Sequence, residues 1–224
     1  MAIFGNLSVC FDLDGTLIDT APDLVRVLNT VIAQESLPKT DFDEARKAVG
    51  FGARALITGA LSRAGHIVPD ARIDELRELF LDVYAENICQ LSTPFPGVVD
   101  TLKALKQSGA ELSICTNKPG YLARPLMEEL GLSSLFVRTV GSDDLARNKP
   151  YADHIWKAVG HRGHHRRIIM VGDSRPDVLA AHNAKAPCIV MTYGYSTIPV
   201  IKLGADRILQ NFRDVPAAIA ELIA

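Results

Sequence analysis

The segment VCFDLDGTLIDT at residues 9–20 carries the strongest structural signal in this chain. The apolar run that leads into it predicts a short buried strand over residues 7–11, because the run is brief and is followed by a glycine turn. Asp12 and Asp14 come directly after that strand, and side chains two residues apart on extended backbone point the same way. Two carboxylates held together repel each other unless a cation or a shared proton relieves them. The pair therefore indicates a site for a hard divalent cation, Mg2+ above all, with one acid as a candidate nucleophile.

Composition and charge narrow the class of protein. The chain has 224 residues, 48% of them hydrophobic, which is enough for a sizeable core. A formal net charge of -2 gives no attraction to nucleic acid or to an anionic membrane, and no stretch approaches the roughly 20 apolar residues of a membrane span. The first six residues lack the features of a secretory signal. Cys10, Cys115 and Cys188 fall in predicted strands, so we expect a reduced, cytoplasmic protein. From the charge and the absence of a membrane span, we expect neither a nucleic-acid nor a membrane partner.

The order of predicted elements gives the architecture. After residue 20 the apolar spacing predicts only helices, which begin at residue 21 and continue at 42–49, 53–64 and 73–88. Beyond a linker at 92–97, rich in proline and glycine, helices alternate with strands predicted at 111–115, 136–140, 167–171, 188–191 and 206–209. Such alternation implies an α/β protein with a parallel sheet flanked by helices. We predict one α/β core domain from residues 1–19 and 94–224, with an inserted all-helical cap domain at residues 20–93.

Residues that suit phosphate chemistry follow the predicted strands, at the edge where open parallel sheets bind ligands. The four groups, in chain order, are Asp12 with Asp14, then Thr116-Asn117-Lys118, then Lys149 before Pro150, and finally Asp173-Ser174 with Asp177. Carboxylates suit Mg2+, whereas hydroxyl and ammonium groups suit phosphoryl oxygens. Together they indicate a site for a metal ion and a phosphate.

These four motifs, in this order, resemble those of the haloacid dehalogenase superfamily of phosphotransferases. The segments DLDGTL at 12–17 and GDSRPD at 172–177 carry the resemblance, and the helical insertion is similar to the small cap of that family. Within the superfamily, GFGAR at 50–54, TNKP at 116–119 and TYGY at 192–195 resemble the phosphoglycolate phosphatases. The resemblance implies a Rossmannoid sheet and Mg2+-dependent hydrolysis of a small phosphorylated metabolite through an aspartyl-phosphate. Its most specific implication is conversion of 2-phosphoglycolate to glycolate and phosphate.

The resemblance also implies a role for each matching residue of the reaction. Asp12 would be the nucleophile, and Asp14 would protonate the leaving alcohol and then deprotonate the attacking water. Thr116 and the Asn117 backbone would bind phosphoryl oxygens, while Lys149 would neutralise Asp12 and the phosphoryl group.

The metal and the substrate carboxylate receive their own residues. Asp173, the Asp12 carboxylate and the backbone carbonyl of Asp14 would hold Mg2+, with Ser174 and Asp177 supporting them from behind. In the predicted cap, the Gly52 backbone and the Arg54 guanidinium are hypothetical partners of the substrate carboxylate, since arginine pairs with carboxylates in bidentate fashion.

Several alternatives remain open at the level of sequence. Arg54 is equally well an ordinary surface residue of a helix. The substrate could be a sugar phosphate, a nucleotide or pyrophosphate, and the activity could be that of a phosphomutase similar to beta-phosphoglucomutase. A non-catalytic binding protein with the same fold is a third alternative. The basic stretch at 161–167 is interpreted as a solvated loop, and the protein as a monomer or homodimer.

Overall fold

A computed structural model describes residues 3–160 and 166–224 of the chain, which divides into two compact units. One unit comprises Met1–Asp19 and Pro94–Ala224, and the other comprises Thr20–Thr93. The predicted basic loop at 161–167 falls mostly outside the described residues. None of the helices in the described part of the chain is long and apolar enough to cross a membrane.

The first unit is built on a six-stranded parallel sheet. Its strands are β1 (Leu7–Phe11), β4 (Glu111–Cys115), β5 (Arg138–Val140), β6 (Arg167–Gly172), β7 (Cys188–Met191) and β8 (Arg207–Leu209), and two short strands, β2 (Ile18–Asp19) and β3 (Thr93–Pro94), pair separately. The sheet order is β5-β4-β1-β6-β7-β8. The helices of this unit are α5 (Val98–Gln107), α6 (Gly120–Glu129), α7 (Ala152–Val159), α8 (Arg175–Asn183) and α9 (Val215–Ile223). The predicted α/β fold with a helix-flanked parallel sheet is confirmed.

Strand β1 is the centre of the core, as its uninterrupted apolar sequence requires. Its residues are buried, and Phe11 lies opposite Ile114 of β4 on one side and Val171 of β6 on the other. Because the three strands are parallel and end at nearly the same level, the residues that follow them converge at one edge of the sheet. Cys10, Cys115 and Cys188 are buried in strands as free thiols, as predicted.

The second unit contains four helices. These are α1 (Ala21–Ile32), α2 (Phe42–Arg46), α3 (Ala53–Arg63) and α4 (Asp70–Glu86). The prediction of one helix over 42–49 was wrong, since α2 ends at Arg46 and a separate 3-10 turn covers Val49–Phe51. Gly52 then has a φ of +85°, a backbone angle that residues other than glycine rarely adopt. The glycine therefore separates the 3-10 turn from α3.

A buried aspartate near the start of α1 ties the two ends of this helical unit together. Asp23 Oδ2 accepts hydrogen bonds from the backbone N–H groups of Gln90, Leu91 and Ser92 at 3.1, 2.8 and 2.8 Å, and from the Ser92 hydroxyl at 2.7 Å. Its Oδ1 accepts from Arg26 Nη2 at 2.9 Å. Every donor here lies within the helical unit, so Asp23 closes that unit at its base.

Candidate active site

Two acids and a lysine form the centre of the candidate site. Lys149 Nζ lies 2.7 Å from Asp12 Oδ1 and 2.7 Å from Asp177 Oδ1. Asp12 directly follows β1, whereas Asp177 lies in the first turn of α8, which begins just after β6. Lys149 and Asp177 follow Asp12 by 137 and 165 positions in the chain, and the fold brings them together at the carboxyl edge of the sheet, where their places after the strands predict them.

Asp173 is the third buried acid of this edge, and it is held rigidly. Its Oδ1 accepts a hydrogen bond from the Thr16 hydroxyl at 3.0 Å, and its Oδ2 accepts from the backbone N–H of Tyr195 at 2.6 Å. Asp12, Asp173 and Asp177 each offer a carboxylate oxygen, and the three oxygens lie within 4.8 Å of one another. This donor set fits a hard cation such as Mg2+, which prefers carboxylate oxygens.

Burial and the crowding of these acids raise the pKa values of Asp12 and Asp173. Burial, aided by the charges of Asp177 and Asp14, raises the pKa of Asp12 to about 7 even though Lys149 opposes the shift. Burial and the charges of Asp177 and Asp12 likewise raise the pKa of Asp173 well above its usual range. A bound cation would relieve both carboxylates, because a positive charge favours their ionised forms. The electrostatics of the site therefore agree with its geometry.

Lys149 remains a cation in this setting. Burial by itself lowers the pKa of Lys149, but the carboxylates of Asp12 and Asp177 outweigh burial and raise that pKa above its ordinary value. Its backbone is fixed on both sides: the N–H donates to His154 Nδ1 at 3.1 Å, and the carbonyl accepts from Asn117 Nδ2 at 3.1 Å. His154 is buried in α7, and its Nε2 lies 3.1 Å from the Val140 carbonyl oxygen, which fixes the neutral ring with its proton on Nε2.

Asp177 uses both of its carboxylate oxygens to hold other residues of the site in place. Its Oδ2 accepts from the backbone N–H groups of Asp173 and Ser174 at 3.2 and 3.0 Å and from the Ser174 hydroxyl at 2.6 Å. Its Oδ1 is occupied by Lys149 Nζ. Both carboxylate oxygens of Asp177 are therefore engaged by donors within the site itself.

Asp14 faces a second lysine. Lys118 Nζ lies 3.2 Å from Asp14 Oδ1, with the lysine side chain 5% exposed and the aspartate side chain 17% exposed. Thr116 is buried beside them, and its Oγ1 accepts a hydrogen bond from the backbone N–H of Lys118 at 3.1 Å. The carboxyl edge of the sheet thus holds these residues predicted from the sequence: Asp12, Asp14, Thr116, Asn117 and Lys149.

The two predicted cap residues lie in the helical unit, where each can be described by its local contacts. Arg54 Nη2 donates to Asp70 Oδ1 at 2.9 Å, and Arg54 Nη1 also pairs with Asp74. Gly52 sits between the 3-10 turn and α3 with its left-handed φ. Their proposed contact with a substrate carboxylate stays a prediction.

Sequence reasoning missed several residues that shape the site. Lys118 was predicted only as one of the ammonium groups that suit phosphoryl oxygens, without its pairing to Asp14, and Thr16 and Tyr195, which hold Asp173, were not singled out. Three glycines also matter, because a Cβ added to Gly15 would come within 2.8 Å of Asp173 Oδ2, while one on Gly172 or Gly194 would collide with Asp177 or Asp173. All three glycines belong to motifs quoted from the sequence, namely DLDGTL, GDSRPD and TYGY, so their need for space could have been suspected there.

Comparisons with known proteins identify the class. Residues 9–191 match the family model of the haloacid dehalogenase-like hydrolases, and the chain therefore belongs to that family. A phosphoglycolate phosphatase of Caulobacter vibrioides is 44% identical over 217 residues, covering 96% of this chain and 92% of the relative. Another from Agrobacterium fabrum is 42% identical over 212 residues, covering 94% and 91%. The family predicted from the motifs is confirmed.

A solved structure agrees with these relatives. The crystal structure of a protein from Haemophilus somnus, described as a predicted phosphoglycolate phosphatase, superposes with a TM-score of 0.86 at 31% sequence identity. The match covers 95% of this chain and 97% of the other. The fold and the family are therefore common to both.

Proposed function

We propose that this chain is an Mg2+-dependent phosphomonoester hydrolase that converts 2-phosphoglycolate and water to glycolate and phosphate. The observation that carries the proposal is the buried Asp12 carboxylate, 2.7 Å from Lys149 Nζ and beside Asp173. Phosphatase activity agrees with the family, and relatives named phosphoglycolate phosphatase, at 34–44% identity over most of the chain, support the particular substrate.

Asp12 is the nucleophile in this proposal. A carboxylate oxygen of Asp12 attacks phosphorus, the bond from phosphorus to the bridging oxygen breaks, and an aspartyl-phosphate forms. An anion that attacks a phosphate dianion meets strong repulsion, which Lys149 offsets because it stays cationic and touches the nucleophile. Burial of Asp12 and Lys149 strengthens this offset, since electrostatic attraction grows where water is excluded.

Asp14 moves the proton. It gives a proton to the bridging oxygen as glycolate leaves, and it then takes one from the water that attacks the aspartyl-phosphate, which releases phosphate and restores Asp12. Thr116 and the backbone of Asn117 would bind phosphoryl oxygens during both steps. Ser174 and Asp177 do not contact the substrate in this proposal. They hold Lys149 and the start of α8 in place.

The proposed metal is Mg2+, and its ligands would be the carboxylates of Asp12 and Asp173 and the backbone carbonyl of Asp14. When bound, it supplies positive charge that favours phosphoryl transfer to a carboxylate. The raised pKa values of Asp12 and Asp173 support this assignment, because burial and the neighbouring acids leave the negative charge of these carboxylates only partly compensated.

The proposal extends to domain roles and setting. Residues 1–19 and 94–224 would form the catalytic core domain, and residues 20–93 a helical cap that covers the substrate, with Gly52 and Arg54 as its candidate contacts. Substrate closure of this kind excludes water from the phosphoryl group. The cytoplasm is the proposed location, which free cysteines in the strands support, and the protein would work as a monomer or homodimer.

The test is phosphate release in Mg2+ over a panel of phosphorylated metabolites. We expect the highest kcat/KM for 2-phosphoglycolate and a loss of at least about 10,000-fold in Asp12→Asn, because the covalent step needs that carboxylate. Asp100→Asn, an exposed acid on α5, is the matched control. Activity that survives in Asp12→Asn would refute the covalent mechanism. Equal rates over the panel would refute the glycolate substrate, and a need for a bisphosphate activator with little free phosphate would favour the phosphomutase.

A further inference from the structure

A second buried lysine, Lys118, lies beside Asp14 at the candidate site. Lys118 follows β4, and its side chain is only 5% exposed. Lysine is rarely buried to this extent without an ionic partner. The partner is Asp14, whose Oδ1 lies 3.2 Å from Lys118 Nζ. Lys118 therefore places a second cation at the site, beside the acid that is proposed to protonate the leaving alcohol.

The charge of the proposed substrate calls for such a cation. Phosphoglycolate carries a phosphate at one end and a carboxylate at the other. Lys149 already holds Asp12 and Asp177, both at 2.7 Å, so its charge serves the phosphoryl end. The substrate carboxylate begins two covalent bonds from the bridging oxygen that Asp14 must reach. It must therefore lie near Asp14, and burying it there without a positive partner would be costly.

We propose that Lys118 binds the carboxylate of the substrate and selects for it, an inference that rests on the proposed function. A lysine ammonium carries three N–H groups, so one ammonium can hold Asp14 and a substrate carboxylate together. The hydrogen bond from the Lys118 backbone to Thr116 Oγ1 fixes the base of the lysine beside a proposed phosphate-binding residue. One short loop after β4 thus contacts both ends of the substrate.

Arg54, the partner suggested by sequence, is differently placed. Its side chain is 44% exposed, and both of its terminal nitrogens are paired with acids of α4, Asp70 and Asp74. Binding a substrate carboxylate through Arg54 would require these pairs to be exchanged. The two residues therefore make rival predictions for the same anion.

A simpler role for Lys118 would be to neutralise Asp14 and nothing more. In that case its removal would weaken hydrolysis of every phosphomonoester by a similar factor. Selection for the carboxylate predicts a different result, because only substrates with the negative charge would lose binding. The ratio of kcat/KM between two substrates separates these roles, since effects on Asp14 common to both cancel.

The experiment compares 2-phosphoglycolate with carbamoylmethyl phosphate, in which a neutral amide replaces the carboxylate. Wild-type protein should prefer phosphoglycolate, and Lys118→Met should lower that preference by roughly tenfold or more, the loss typical of a hydrogen bond between charged groups. Lys118→Arg should retain part of the preference because it keeps the charge. Lys103→Met, at an exposed lysine of α5, is the control and should leave the ratio within about twofold of wild type, while Arg54→Met tests the rival partner of the carboxylate.

The outcomes distinguish the two proposals. A wild-type protein without preference for phosphoglycolate overturns the proposed substrate and the inference with it. A wild-type preference that persists in Lys118→Met overturns the inference alone, and its loss in Arg54→Met instead assigns the carboxylate to Arg54. Should Lys118→Met fail to fold, the nitrogen resonance of the Lys118 ammonium in wild type decides. Glycolate should shift it and ethylene glycol should not, and no difference between the two would overturn the inference.

Discussion

Two buried aspartates in this molecule have opposite electrostatics. Asp23, in the helical unit, accepts four hydrogen bonds at Oδ2 and a further hydrogen bond from Arg26 at Oδ1. Burial raises the pKa of Asp23, but the hydrogen bonds from Leu91, Ser92 and Arg26 outweigh it and lower the pKa below its usual range. Asp173 at the sheet edge receives two hydrogen bonds and faces two other acids, and its pKa is raised.

Burial alone does not decide whether an acid has a structural or a functional role. Asp23 has enough donors to remain ionised without any further partner, so its environment is that of a structural acid. Asp12 and Asp173 have too few donors for their combined charge, so they gain stability only when a cation or a proton arrives. An under-compensated acid cluster is a cost to the fold that function explains.

Substitution of an acid in the crowded cluster gives the largest expected effect. Asp173→Asn should lower kcat/KM for phosphoglycolate by roughly 1,000-fold, since it removes a proposed metal ligand. The same change should leave the unfolding midpoint in urea unchanged or higher in metal-free buffer, because it relieves repulsion with Asp12 and Asp177. A clear loss of metal-free stability would contradict the interpretation of the cluster as destabilised.

Substitution of the satisfied acid should have the opposite character. Asp23→Asn should destabilise the protein by about 3 kcal/mol, because the amide has one acceptor oxygen and turns an N–H group towards donors. Urea unfolding followed by circular dichroism measures the change, with Asp82→Asn, an exposed acid of α4, as the control. A loss of less than about 0.5 kcal/mol would mean that the hydrogen bonds around Asp23 contribute little.

A buried histidine tests whether burial and a neighbouring positive charge hold a titratable group in one protonation state. Burial and the nearby Lys149 lower the pKa of His154 to about 4, below its ordinary value of 6.5, so the fold favours the neutral ring. Its contribution is therefore complete above pH 6.5 and is lost as pH falls from 6.5 towards 4, by about 3 kcal/mol in total.

The measurement is unfolding free energy against pH for wild type and His154→Asn, which keeps an acceptor near the Nδ1 position. The difference between the two proteins should shrink on acidification, and a constant difference from pH 7 to pH 4 would contradict the shifted pKa. Asp23 contributes to acid loss only at lower pH, because its pKa is lowered.

Metal provides the smallest expected effect and the sharpest separation of the two regions. Mg2+ at 100 times its dissociation constant should stabilise wild type by about 2.7 kcal/mol, and a chelator should reverse the gain. Asp23→Asn should show the same gain, whereas Asp173→Asn should lose most of it. Equal stabilisation of all three proteins would place the ion elsewhere.

The sequence predicted much of the α/β unit because its information is local. The strands at Glu111–Cys115 and Cys188–Met191 have the bounds that the sequence predicts, since the apolar runs are short and clearly interrupted. The helical unit is predicted less well: the sequence predicts one helix over 42–49 where α2 ends at Arg46, and α4 begins three residues earlier than the sequence predicts, after Pro69. Helix ends depend on caps and packing that periodicity does not contain.

The site divides in the same manner. Asp12 and Lys149 could be predicted because they stand at strand ends in a parallel sheet, and the structure brings them together. The pairing of Lys118 with Asp14 and the hydrogen bonds of Thr16 and Tyr195 to Asp173 could not, since they join residues between 22 and 157 positions apart whose types have many other uses.

The glycines packed against the acids have a consequence for how this protein could change over generations. Gly15, Gly172 and Gly194 leave no room for even one methyl group beside Asp173 or Asp177. A side chain at any of these positions would displace an acid of the site, so selection would eliminate such a substitution. Descendants of this protein would therefore inherit all three glycines unaltered.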